Sequence, residues 1–137
     1  MTKSFPYTQI RIARPTDQLE RVVDFYKNGL GLTEIGSFND HEGFSGVMLG
    51  LPDETHHLEF TQHKNGSPCP APTKDNLLVF YLQDKEQRNE IAERLFNMGH
   101  LEVEPENPYW KKHGITIEDP DKWRIVLMEI KSFNANV

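Results

Sequence analysis

The stretch HHLEFTQH, residues 56–63, gathers three histidines around one glutamate. Side chains alternate across a strand, so a strand here sets His57, Glu59, Thr61 and His63 on one face and His56, Leu58 and Phe60 on the other. Imidazole and carboxylate both ligate divalent ions, and His57 and Glu59, at i and i+2, stand roughly 7 Å apart at Cα, close enough to converge on one ion. Glu59 also suits a general base or an anchor for a bound molecule. An inward carboxylate needs a partner, and Arg11 and Arg124 are the cations that strand alternation turns toward it. His63 adjoins a Lys-Asn-Gly loop, His56 and His41 lie at turns and His113 opens a later strand, so surface roles are expected for these four. Tyr109 and Trp110, in NPYWKKHG, form an aromatic pair suited to stacking a planar or cationic ligand.

The elements that must position these groups follow from periodicity. TQIRIAR (8–14) alternates as a half-buried strand, with Ile10 and Ile12 on the buried face and Gln9, Arg11 and Ala13 on the other. In the following segment Leu19, Val22, Val23 and Tyr26 recur at i, i+3, i+4 and i+7, which predicts an amphipathic helix. Thr16 or Asp17 is the expected cap, Asp17 and Glu20 resemble a capping box, and Asn28-Gly29 is the stop. Strands are predicted over LGLTEIGSFND, FSGVMLGL and HHLEFTQ, with HEG and PDET as turns. Residues 64–75, KNGSPCPAPTKD, carry three prolines and read as a surface connection. The order then begins again. NLLVFYLQ is a strand apolar on both faces. Residues 84–99 form a helix capped by Asp84, with Gln87 at the box position, Ile91, Leu95 and Met98 inward, and Gly99 as stop. HLEVEPE is a short, charged edge strand, and GITIEDPDKWRIVLMEI is a strand, a Pro-Asp turn and a last strand.

The helix caps Asp17 and Asp84, and the stops Gly29 and Gly99, are each separated by about half the chain. The sequence therefore reads as two copies of one β-α-β-β-β unit. Module 1 is expected at about 5–63, the linker at 64–75 and module 2 at about 76–131. The predicted fold class is α+β, a single domain of two βαβββ modules in pseudo-symmetric pairing, with mixed sheets curled around a central cavity.

Composition narrows the function. A net charge of −6 disfavours nucleic acid and anionic membrane surfaces as partners. No apolar run is long enough to span a membrane, and the first residues lack the apolar core of a signal peptide. With a single cysteine, Cys69, and no internal disulfide, a cytoplasmic location is the expectation.

Three stretches carry a resemblance to the vicinal oxygen chelate superfamily of glyoxalases, bleomycin- and fosfomycin-resistance proteins and extradiol dioxygenases. They are VVDFYKNGLGL at the first helix end, HLEF with its central glutamate, and EDPDKWRIVLM before the last strand. The chain looks most like the small bacterial glyoxalase/bleomycin-resistance-like proteins. In the family's metal enzymes each module supplies ligands from its first and last strands. The resemblance puts those positions at Gln9 and Glu59 in module 1, and at Leu77 (or Asn76) and Val126 in module 2. Leucine and valine offer no lone pair, so the family metal centre and other cofactors are not expected.

The expectation is thus a metal-independent protein that binds a small organic ligand, aromatic or cationic, in the inter-module cavity. The ligand-binding residues expected by alternation are Gln9, Arg11, His57, Glu59, Thr61, Tyr81, Tyr109, Trp110, Thr116, Arg124 and Met128, with Glu118, Val126, Leu77 and Val79 beside them. Glu59 is the candidate catalytic residue. The alternative is a metal-dependent lyase, isomerase or dioxygenase with a divalent metal at Gln9, His57 and Glu59. The resemblance also implies a homodimer, and Trp123 is expected at the rim or in the dimer contact.

Overall fold

The structure, a computed structural model, describes residues 4–50 and 55–131. It divides into two compact units, Met1–Cys69 and Pro70–Val137. The turn read at 52–55 falls, apart from Thr55, outside the described residues.

In the first unit β1 (Ile10–Pro15) is followed by a helix, α1 (Leu19–Val23), which widens into π-turns over Asp24–Gly29. Then come β2 (Thr33–His41), β3 (Phe44–Gly50) and β4 (His56–His63). The sheet order is β1-β4-β3-β2, with β1 parallel to β4 and the other pairs antiparallel. The second unit repeats the plan: β5 (Leu77–Leu82), α2 (Lys85–Asn97), β6 (Glu102–Val103), β7 (Gly114–Glu118) and β8 (Arg124–Glu129), in the order β5-β8-β7-β6. Its strand directions match, β5 being parallel to β8. The fold is α+β, two βαβββ modules with open mixed sheets. Among the described residues no helix is long and apolar enough to cross a membrane.

Each sheet has a helix side and an opposite side. In the first module Val22, Phe25 and Tyr26 are fully buried, and Leu49, Leu58 and Phe60 are buried with them. The rings of Tyr26 and Phe60 stack at 4.8 Å. The first strand departs from its expected pattern. Ile10 and Ile12 are 39% and 46% exposed, and the buried member of their row is Arg14. Its guanidinium lies over the rings of Phe60 (4.9 Å) and Tyr26 (5.6 Å) and donates to the Tyr26 hydroxyl at 2.9 Å. A planar, weakly hydrated guanidinium stacks on aromatic faces at a lower desolvation cost than an ammonium.

The first helix is also capped differently. Asp17 does not cap it; its carboxylate accepts from the Ser67 amide instead. Thr16 accepts from the Gln18 amide in a local turn, and the orphan Leu19 amide is met from β4 by the Gln62 side chain at 3.0 Å. The helical segment ends at Gly29 as expected, though its last turn is a π-turn, with the Leu30 amide bonded to the Phe25 carbonyl, and the positive φ of 93° falls two residues on at Gly31. The second helix follows its local signals. Asp84 accepts from the Gln87 amide, Gln87 reaches back to the Gln83 amide, and Gly99 ends the helix at φ 96°.

Candidate functional site

On the side of the first sheet away from its helix, strand register brings Arg11 beside His57 and Ala13 beside Glu59. Across the next ladder Gly50, Met48 and Gly46 of β3 face His57, Glu59 and Thr61. Arg11 Nε donates to His57 Nε2 at 2.8 Å, and Arg11 Nη1 stands 3.6 Å from Glu59 Oε2. Because His57 accepts at Nε2, its ring proton belongs on Nδ1. His57 is buried, the Glu59 side chain is 13% exposed, and the Arg11 side chain is 49% exposed. The outward charge of this cluster is therefore the guanidinium. The carboxylate lies beneath it.

Beyond Glu59 the same face turns apolar. Gly36, Gly46 and Gly50 leave room on it that side chains from neighbouring strands fill. A Cβ on Gly46 would meet the Phe38 ring, one on Gly36 the Met48 methyl, and one on Gly50 the Ile35 side chain. Phe38 and Met48 are half-buried and Ile35 is exposed, so one polar end and one apolar end share the surface. The apolar end was not foreseen from sequence. Its signal was legible in FSGVMLG, where Gly46, Met48 and Gly50 alternate onto one face.

The equivalent face of the second module is built otherwise. Its register aligns Leu77, Val79 and Tyr81 with Arg124, Val126 and Met128, and these with Glu118, Thr116 and Gly114. Val126, Met128 and Thr116 are at most 1% exposed, and Arg124 is 5% exposed. Arg124 donates to Glu118 at 3.1 Å and to the Glu104 carbonyl at 2.8 Å, so it is spent within its own module. The Thr116 hydroxyl is buried with no hydrogen-bond partner among the described residues. The segment that carries Tyr109 and Trp110 lies over one end of this face. A Cβ on Gly114 would collide with the Trp110 carbonyl and the Met128 sulfur. The two rings meet edge to face at 4.9 Å, and Tyr109 is 42% exposed. Lys111 ties the segment to Glu102 of β6 at 3.6 Å and to Glu104 just after it at 2.9 Å. The hydrogen bond to Glu104, followed by the attraction of Glu102, raises the Lys111 pKa above its ordinary 10.5.

The expected residues thus fall into separate groups. Arg11, His57, Glu59 and Thr61 share one face of the first sheet, and Tyr81, Thr116, Arg124 and Met128 share one face of the second. Trp123 is half-buried in the turn between β7 and β8, where the Asp119 carboxylate holds its amide at 3.0 Å. Gln9 does not join the first group. It precedes β1, and the Ile10 amide already bonds the Thr55 carbonyl. Gln9 therefore aligns about four residues short of Glu59, roughly 13 Å along the strand. None of the expected residues lines the cleft of about 360 Å³ at the other end of the first module, which Leu19, Asn39, Asp40, Ser45, Gln62 and Lys64 help to form.

The donor set does not fit the divalent metal that the fold's metal enzymes carry. His57 and Glu59 are two donors where three or four are wanted, and a fixed guanidinium already engages both. Among the described residues no group of three or more His, Cys, Asp or Glu is placed to hold an ion.

Comparison with known proteins gives a consistent picture. Residues 10–61 match the YycE-like N-terminal domain and residues 75–129 the YycE-like C-terminal domain. The Bacillus subtilis (strain 168) protein YycE, itself uncharacterised, is 53% identical over 132 residues, which cover 96% of this chain and 95% of that one. The crystal structure of a Bacillus subtilis YycE protein of unknown function, grouped in its description with glyoxalase and fosfomycin-resistance proteins, superimposes with a TM-score of 0.87 at 54% identity, covering 93% of each chain. More distant structures share the fold. The trypanothione-dependent glyoxalase I of Leishmania major aligns with a TM-score of 0.72 at 17% identity over 92% of this chain and 88% of that one. The fosfomycin-resistance protein FosX of Mesorhizobium loti aligns with a TM-score of 0.69 at 15% identity over 98% and 99%. The chain belongs to the YycE-like family, small glyoxalase-like proteins of the vicinal oxygen chelate superfamily.

Proposed function

We propose that this protein binds a small organic molecule on the open face of its first module, without the superfamily's metal. One observation carries the reading. The guanidinium of Arg11 engages both residues of that face that could serve a metal, His57 and Glu59. Beside them Ile35, Phe38 and Met48 supply an apolar surface of the kind that small-molecule sites combine with a few convergent polar groups. An aromatic ligand suits this surface better than a cationic one, because Arg11 presents its charge outward and Glu59 is largely covered. The protein named as an antibiotic-binding protein from Streptomyces sp. CB03234 shares the fold, with a TM-score of 0.64 at 17% identity. The fold is thus one that serves binding as well as catalysis in its other members.

Phe5, Tyr7, Ile10 and Ile12 leave apolar surface exposed along and before β1, and we assign this strip to a homodimer contact. The test of the main reading is a thermal-shift screen of EDTA-treated protein against aromatic acids, catechols, aldehyde–thiol adducts and antibiotics. A hit should stabilise the metal-free protein, and Met48→Ala and Phe38→Ala should weaken it. Hits that appear only after a divalent ion is added would sink the reading.

A further inference from the structure

We infer that Arg11 is the resident cation of the site, standing where a metal would sit and offering its outer N–H groups to a carboxylate of the ligand. The inference rests on the proposed binding function and names the ligand's chemistry. Arg11 spends Nε on His57 and one edge of Nη1 on Glu59. Among the described residues its remaining N–H groups have no other partner, and about half of the side chain is open. The two inward contacts fix the guanidinium plane, which lowers the entropy cost of presenting the outer edge. That edge is a planar fork of N–H donors, the geometry a carboxylate accepts in bidentate fashion. Glu59 balances the guanidinium before the ligand arrives, so a carboxylate is selected by the geometry and local field of the outer N–H fork and not by a net positive charge. The aromatic body of such a ligand would lie toward Met48 and Phe38, across the glycine positions of β2 and β3. An aromatic monocarboxylate combines both ends.

Two titrations test this, with circular dichroism confirming that each variant is folded. In the first, benzoate and its neutral analogue benzyl alcohol are titrated into metal-free protein and followed by amide chemical shifts. Benzoate should bind more tightly, and Arg11→Gln should weaken benzoate by about tenfold while leaving benzyl alcohol unchanged. Equal binding of the two probes, no benzoate binding, or benzoate binding untouched by Arg11→Gln would overturn the inference and leave the metal-free binding function standing. In the second, Co²⁺ is added and visible absorption recorded. The native protein should bind none at this face. Arg11→His, which turns the cation into a third donor beside His57 and Glu59, should bind one equivalent, and Arg11→Ala should bind weakly. Failure of both variants to gain Co²⁺ would refute the place given to Arg11. Native binding abolished by Glu59→Gln would overturn the metal-free function itself.

Discussion

Arg11 and His57 sit side by side on parallel strands, and the guanidinium Nε donates to the imidazole Nε2 at 2.8 Å. This one bond decides how the His-Glu-His stretch of the fourth strand is understood. An imidazole nitrogen that accepts from a guanidinium has its lone pair engaged in that bond. The same guanidinium covers Glu59. In the fold this stretch contributes His57 and Glu59 to a polar patch shared with Arg11.

Glu59→Gln keeps the side-chain shape and removes the charge. A half-exposed ion pair contributes little to stability, so the loss should stay within about 1 kcal/mol by urea denaturation. Aromatic-acid binding should survive, because Arg11 and not Glu59 is the group assigned to the ligand.

Tyr26→Phe removes the hydroxyl that accepts from buried Arg14. Removing one acceptor from a buried guanidinium should cost about 1–3 kcal/mol, read as a lower urea midpoint at unchanged slope.

Gln62→Ala tests the cap supplied from another strand. It strips the acceptor from the Leu19 amide at the start of α1. A loss of about 1 kcal/mol is expected, comparable to removing a local cap, with faster amide exchange confined to the first helical turn. Asp17→Ala should leave that turn unaffected.

Thr116→Val replaces a buried hydroxyl that has no partner among the described residues with a methyl group of similar size. Removing an unsatisfied polar group should leave stability unchanged or raise it by about 1 kcal/mol. A marked loss of stability would mean that the hydroxyl is hydrogen-bonded in solution.

The homodimer is checked by sedimentation at micromolar concentration. A dimer is expected, and Ile12→Lys on the exposed row of β1 should shift it toward monomer with little change in fold.

Local signals made much of the fold legible. The Asp84–Gln87 cap, the Gly99 stop and the strands β4 and β8 need only near neighbours, and each came out where the pattern implied. What was not legible depended on partners distant in sequence. Arg14 is buried because Tyr26 and Phe60 supply rings for it, and Gln62 caps a helix that begins 43 residues earlier. The alternation of β1 correctly set Arg11 on the face of Glu59. It could not show that Gln9 falls short of Glu59, because alternation fixes which face a side chain takes and not how far along the neighbouring strand it pairs. Two faces that are equivalent by topology also differ in content, one open around Arg11 and one closed over Val126 and Met128, a contrast that required both burial and register to see.

The most direct test of the central claim is a chemical-shift map of the metal-free protein with a bound aromatic ligand from the thermal-shift screen. The account predicts that the largest changes fall on Arg11, His57, Glu59, Thr61, Phe38 and Met48, with EDTA present throughout. Changes confined to other surfaces, or a map that develops only when a divalent ion is supplied, would contradict it.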